Sequence, residues 1–293
     1  MADRRQAYLY ALGAVLIWST MAAAFKLSLR HLDPLQLLFF SVLVALVFLG
    51  TLLGYQGKIG QVFRCRRRDY AMSLLLGLLN PFLYYLVLLK AYELLPAQQA
   101  QPINYTWAIT LTLLSIPLLK QKIRCGEFAA MLVSYCGVVV IATEGELLHL
   151  QIVSPLGVGL ALASTLAWSF YWIFNTLDQR DPLVALFMNF AAAFPFIGAA
   201  LYLFSDMIWP SPAGFAGAAY IGLMEMGASF VLWLLALKKT DNAARLGSLI
   251  FLSPFLSLVL IALLVGERIL PSTGVGLVLI VAGLVLQKKV ART

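Results

Sequence analysis

Apolar stretches about as long as a bilayer is thick recur from one end of this chain to the other. Roughly 20 helical residues cross a hydrocarbon core of about 30 Å. Ten such runs can be cut, at about 7–29, 34–54, 70–93, 97–119, 126–143, 155–176, 183–204, 212–237, 243–264 and 272–287. The links between them are short and leave no room for a soluble domain. Charged residues make up 12% of the chain and hydrophobic ones 62%, whereas about a quarter of a soluble domain is charged. The chain is therefore predicted to be an all-α polytopic membrane protein with ten transmembrane helices.

A net charge of +8 invites a nucleic-acid reading, but its distribution argues against one. With the N-terminus inside, seventeen of the twenty-one Lys and Arg fall on the inner side. They include Arg4 and Arg5, the "RCRRR" run at 64–68, Arg180, and Lys288 and Lys289. Lys26, Arg30, Lys90 and Arg268 fall toward the outer side. This positive-inside bias puts both termini in the cytoplasm and the loop around Glu144–His149 outside. The basic run is then a topology signal beside anionic lipid, and no nucleic-acid partner is expected. The first run is longer than a signal-peptide core and has a near copy later in the chain, so it is read as a retained span. Cys65 and Cys125 fall in cytoplasmic loops and Cys136 in an apolar run, which points to no disulfide framework. His31 and His149 are loop residues without metal-ligand spacing, and no cofactor is expected.

The sequence also repeats itself. "IWSTMAAAFKLSLRHLDP" (17–34) returns as "AWSFYWIFNTLDQRDP" (167–182), matching Trp18-Ser19 to Trp168-Ser169 and Asp33-Pro34 to Asp181-Pro182. "GLLN" (77–80) returns as "GLME" (222–225), "KQKI" (120–123) as "GERI" (266–269), and "GVVVIA" (137–142) as "GLVLQK" (283–288). The offset stays between 145 and 150 throughout, dividing the chain into halves at 1–150 and 151–293. Five spans per half is an odd number, so the second half enters the membrane from the opposite side. Such inverted repeats are a recurring transporter architecture, in which two halves exchange conformations around a central site.

Ten spans in two five-helix halves, the Trp-Ser pair in the first helix of each half, and "LVGERI" (264–269) resemble the drug/metabolite transporter superfamily, EamA type. The first half departs from that pattern, with Gln121 where the second has Glu267. "NYTWAITLTLL" (104–114) most resembles the aromatic amino-acid exporter branch, the YddG-like proteins. The resemblance implies an inner-membrane exporter of amino acids, aromatic ones included, with a drug or other metabolite carrier of the same fold as the alternative.

Depth along each run, at about 1.5 Å per residue, places Trp18, Asn80, Tyr105, Trp107, Trp168 and Glu225 near the bilayer centre. The repeat makes Trp18 equivalent to Trp168 and Asn80 to Glu225. Helical spacing of i, i+4 pairs Asn80 with Tyr84, Gln101 with Tyr105, Trp168 with Trp172, and Glu225 with Ser229 and Trp233. These eleven residues are the candidate substrate-binding set. Each stripe combines an aromatic with a polar group, the composition of a pocket for an amphipathic small molecule. Helix packing is the competing reading for the two tryptophans, while Tyr8, Tyr202 and Trp209 read as interface anchors. Gly77, Gly137, Gly222, Gly227, Gly274, Gly276 and Gly283 are expected at close helix contacts. Pro81, Pro117, Pro195 and Pro254 are expected to kink their spans. Lys26 and Lys90, a few residues from outer ends, are expected to snorkel.

Glu225 cannot snorkel, because water is too far away. A charge left in lipid costs at least ~2.5–3.5 kcal/mol, so this residue must face the bundle interior. Three roles are open to it: binding a substrate amine, carrying a proton, or forming a protonated bond between helices. The neutral Asn80 at the equivalent position argues against an obligatory pair of carboxylates. An integral-membrane enzyme would need a His, Asp or Ser cluster near a membrane surface, and none is found. A pore would favour a continuous polar stripe, whereas the polar groups here concentrate at one depth.

Overall fold

The recurring Asp-Pro pair starts a helix each time. In the computed structural model, Asp33 accepts the amides of Leu35 and Gln36 at 2.8 and 3.0 Å, and its own amide donates to the Gln36 side chain. Asp181 likewise accepts from Leu183 and Val184. Proline follows at the first helical position of both helices, where a missing N–H leaves nothing unsatisfied. The structure describes residues 2–119, 125–146, 154–175, 178–206, 208–239 and 249–290.

Among the described residues the chain is helical throughout. We label α1 (Ala2–Ser28), α2 (Pro34–Tyr55), α3 (Arg67–Leu94), α4 (Ala97–Asn104, then Trp107–Leu119) and α5 (Cys125–Ala142). They are followed by α6 (Pro155–Asn175), α7 (Pro182–Phe204), α8 (Pro212–Ala236), α9 (Leu252–Val265) and α10 (Pro271–Val290). Six of these, α1, α2, α3, α6, α7 and α8, are long and apolar enough to cross a membrane. The apolar parts of α5, α9 and α10 are shorter. The "KQKI" segment, His149 and the start of the run at 243–264 lie outside the described residues. Leu9, Val47, Leu203 and Val278 turn apolar side chains outward, as a bilayer-facing surface requires. Trp209 and Tyr202 are exposed near helix ends, where interface anchors belong.

The run at 97–119, read as one span, is broken in its upper third. Thr106 closes a tight turn on the Ile103 carbonyl with both its amide (3.1 Å) and its hydroxyl (2.7 Å). A threonine that bonds locally offers the backbone an alternative to the helix, which resumes at Trp107.

Packing follows the repeat. α1 packs on α8 and α9, and α6 on α3 and α4; α2 packs on α7 and α8, and α7 on α2 and α3; α5 packs on α10. Exchanging every helix for the one five places away maps this set onto itself. The close contacts obey the same exchange: a Cβ on Gly77 would run into the Asn189 carbonyl of α7, and one on Gly222 into the Ser41 carbonyl of α2. Gly137 is pressed in the same way on the Gly276 carbonyl, and Gly283 on the Ala130 carbonyl. Gly274 was expected to do likewise but has open space around it, because it lies on the face of α10 turned away from α5.

Loop contacts define two faces. On the first, Lys58 Nζ meets Asp181 Oδ2 at 2.8 Å, and Arg180 donates to Ser73 Oγ at 2.6 Å. On the second, Ser205 donates to Asp33, Gln36 to the Asp206 carbonyl, and Arg30 to the Val265 carbonyl. Gly157, in the first turn of α6, rests on Leu95 between α3 and α4. α6 thus begins on the second face, where α1 ends.

Candidate functional site

Two repeat-equivalent helices, α3 and α8, depart from regular helix at the same place: α3 kinks within Leu78–Leu83, and α8 carries a π-helical turn over Ile221–Ser229. A wider turn re-aims the side chains beyond it, and such bulges recur at functional sites. Asn80 and Glu225 occupy these turns but point in different directions. Pro81 forces the residue before it out of the helical region, and Asn80 adopts φ −149, ψ 116. Its amide is thereby sent toward α6 and α7, where it and the Asn189 amide approach the Tyr171 hydroxyl without closing a hydrogen bond. Glu225 has no proline after it, keeps helical backbone, and faces a central cavity.

That cavity has a volume of about 480 Å³ and lies between α1, α3, α4, α6, α8 and the short turn before α9. Nine of the eleven candidate residues line it: Trp18, Tyr84, Gln101, Tyr105, Trp107, Trp168, Trp172, Glu225 and Trp233. Asn80 and Ser229 lie outside its lining. Asn80 leaves its stripe with Tyr84 because the helix breaks between them. The Ser229 hydroxyl is fully buried and turns back to the Glu225 carbonyl of its own helix at 2.6 Å. Sequence spacing missed Met21, Ala22, Phe25, Leu88, Tyr92, Asn104, Leu111, Ile173 and Ile250. Met21, Ala22 and Phe25 follow Trp18 at helical spacing, a signal that was present.

Trp168 is the hub of the aromatic lining. Its ring lies 4.5 Å from Tyr84, 5.7 Å from Tyr171, 5.8 Å from Trp172, 6.0 Å from Phe230 and 6.4 Å from Trp107. Trp18 stands apart across the cavity and pairs with Trp233 at 5.3 Å. The polar groups are tied together in pairs. Asn104 donates to Ser164 at 2.9 Å and accepts from Tyr84 at 3.4 Å, and Tyr105 donates to Ser253 at 2.7 Å. Glu225 accepts from Tyr85 through Oε1 at 3.1 Å. Its other oxygen, Oε2, is buried without a partner. Tyr85 lies behind the lining and was also missed; its position beside Tyr84 was the available signal.

The cavity is closed toward the second face. Phe25, Leu88, Tyr92 and Gln101 are each 3% exposed, whereas Trp18, Trp107, Trp172 and Ile250, toward the first face, are partly exposed. A polar latch sits above the closed end. Glu267 accepts the first-turn amides of α4, from Ala97 at 2.8 Å and Gln98 at 3.1 Å. A carboxylate there satisfies orphan donors and complements the helix dipole. The Gln98 side chain grips the segment that carries Glu267 through Arg268, Leu270 and Thr273. Lys26 does not snorkel to water: it donates to the Tyr92 and Leu95 carbonyls at 2.7 Å, capping the end of α3. Lys26, Gln98 and Glu267 also border a shallower outer pocket of about 360 Å³. Among the described residues no group of His, Cys, Asp and Glu is arranged to hold a metal ion.

Comparison with known proteins follows the same lines. The model of the EamA-like transporter family matches residues 5–143 and again residues 155–287. The aromatic amino acid exporter YddG of Ancylobacter novellus is 26% identical over 265 residues, covering 88% of each chain. A Clostridium kluyveri protein described as an uncharacterized transporter is 22% identical over 311 residues, covering 99% of this chain and 98% of its own. One solved crystal structure superposes with a TM-score of 0.69 at 23% identity, over 98% of this chain and 97% of the other, and so shares the fold.

Proposed function

The chain belongs to the EamA-like transporter family, and from that premise we propose that it exports small amphipathic amines, aromatic amino acids among them, by alternating access. As a member of this family it is a multi-pass membrane transporter rather than an enzyme. In the proposed reading its ten helices form two inverted halves, 1–150 and 151–293, with both termini in the cytoplasm. The helix pairs that map onto one another under a five-place exchange support this. So does the start of α6 on the face where α1 ends.

The observation that carries the proposal is the cavity itself: an aromatic box with one carboxylate, graded in exposure toward one face and latched at the other. Ring faces hold aromatic substrates by offset stacking and amines by cation–π attraction. Export enters from the YddG relative, whose name carries it. Release on the second face requires the Glu267–Gln98 latch to open while the two halves exchange their packing. Counterflow in proteoliposomes tests the mechanism. A carrier loaded with unlabelled phenylalanine accelerates uptake of labelled phenylalanine, and a pore gives no such trans-stimulation.

A further inference from the structure

Among the described residues that line the cavity, Glu225 is the only Asp, Glu, Lys, Arg or His. An amino acid brings two charged groups into this space, and a counter-charge is present for one of them. Lys26, the cation next in sequence to Phe25, is engaged with two backbone carbonyls and borders the outer pocket instead.

The buried polar atoms that lack a partner show the same preference. The Tyr84 and Tyr105 hydroxyls already donate to Asn104 and Ser253, and the Asn104 amide donates one of its two N–H groups to Ser164. The lining atoms that are buried and without a partner are Glu225 Oε2, Gln101 Oε1 and Trp172 Nε1. Two of these accept and one donates. An ammonium, with three N–H groups and a positive charge, suits two acceptors inside an aromatic box. A carboxylate would find only neutral donors among the described lining residues, and no positive charge to replace its hydration.

We propose that this cavity recognises its substrate through the ammonium group, that the carboxylate of an amino acid is dispensable, and that carboxylate-free aromatic amines are substrates as good as the parent amino acids or better. The proposal rests on the cavity being the substrate site and names the chemical class it selects.

Five of the six tryptophans line the cavity, so intrinsic fluorescence reports its occupancy. Three probes share a phenyl ring and differ in charge: 2-phenylethylamine, phenylalanine and 3-phenylpropionate. Titrated into the full-length protein, phenylethylamine binds no more weakly than phenylalanine. Phenylpropionate binds roughly tenfold more weakly or worse, the scale of one charge-assisted hydrogen bond. Glu225→Gln removes most of the difference between amine and acid. Equal binding of phenylpropionate and phenylethylamine overturns the proposal, as does binding of phenylalanine without phenylethylamine. In both cases the site is still occupied and the transporter reading stands. If none of the three alters the fluorescence or exchanges across liposomes, the substrate reading fails and this inference with it.

Discussion

The Tyr85 hydroxyl donates to Glu225 Oε1 at 3.1 Å across 140 residues of sequence, joining the two repeat-equivalent helices at the depth of the cavity. Tyr85 is fully buried, and the bond leaves Glu225 one oxygen for the cavity. Tyr85→Phe strands that carboxylate oxygen and is expected to cost about 1–3 kcal/mol of stability. In the Glu225→Gln background the same change costs less, because a neutral amide oxygen is cheaper to leave unpaired. A double-mutant cycle on thermal stability in detergent measures the difference. Additivity within about 0.5 kcal/mol removes this bond from the account.

The two repeat-equivalent tryptophans are expected to behave differently. Trp168 touches five aromatic neighbours and is almost wholly buried, while Trp18 is partly exposed and pairs with Trp233. Trp168→Ala is expected to lower both stability, by about 3–5 kcal/mol, and transport. Trp18→Ala is expected to lower the initial transport rate with a smaller loss of stability. Unchanged transport in a folded Trp18→Ala protein removes Trp18 from the substrate site.

Half of this cavity's lining was legible because depth and helical spacing depend only on a count of residues along a straight helix. They served for Trp168 with Trp172 and for Gln101 with Tyr105, which face the cavity together. They failed where the helix is not straight. Asn80 and Ser229 both follow from a regular i, i+4 stripe; a kink at Asn80 interrupts the first stripe and a π-helical turn the second. The proline after Asn80 was a readable warning; Ile221–Ser229 contains none. The outer latch was hidden for another reason. Glu267 acts on α4 from 170 residues away in sequence, and nothing local to "GERI" says which helix end it caps.

The glycine contacts give a symmetric prediction. Gly77 and Gly222 occupy equivalent turns and press on the carbonyls of Asn189 and Ser41, which are equivalent on α7 and α2. Backbone cannot yield as a flexible side chain does, so alanine at either position is expected to cost about 1–3 kcal/mol. Gly274→Ala, with nothing near its Cβ, is expected to be neutral or slightly stabilising. Thermal stabilities of the three variants decide it, and a tolerated Gly77→Ala contradicts the close α3–α7 approach.

Acid should loosen the first face. Burial pushes the Asp181 carboxyl up, but the Lys58 ammonium and the amides of Leu183 and Val184 outweigh it and hold the group below its ordinary value. A depressed carboxylate stabilises the fold at pH values above its ordinary one, and that contribution is lost as pH falls through the folded value. Asp178, held down by Arg180 against the same effect of burial, acts in the same direction. The melting temperature is therefore expected to fall on acidification below about pH 4. Lys58→Met should lower it at neutral pH and flatten the acid limb. An acid limb as steep in Lys58→Met as in the unaltered protein shows that this pair contributes nothing to it.

The orientation of the two faces can be tested apart from the fold that creates them. Loop contacts put Lys58 with Asp181 on one face, and Asp33 with Ser205 on the other. The proposed orientation puts the first face in the cytoplasm, on the positive-inside bias read from the sequence. Arg66, Glu146 and Asp206 are all exposed and suit single-cysteine substitution in a background without native cysteines. An impermeant thiol reagent added to intact cells is expected to label Glu146→Cys and Asp206→Cys and to spare Arg66→Cys. Labelling of Arg66→Cys alone would reverse the orientation while leaving the zigzag of helices intact. A split between positions 146 and 206 would be more serious, because the two belong to loops that the helix packing places on one face. That result would break the alternation on which the inverted halves, and therefore the exchange of access across the cavity, depend.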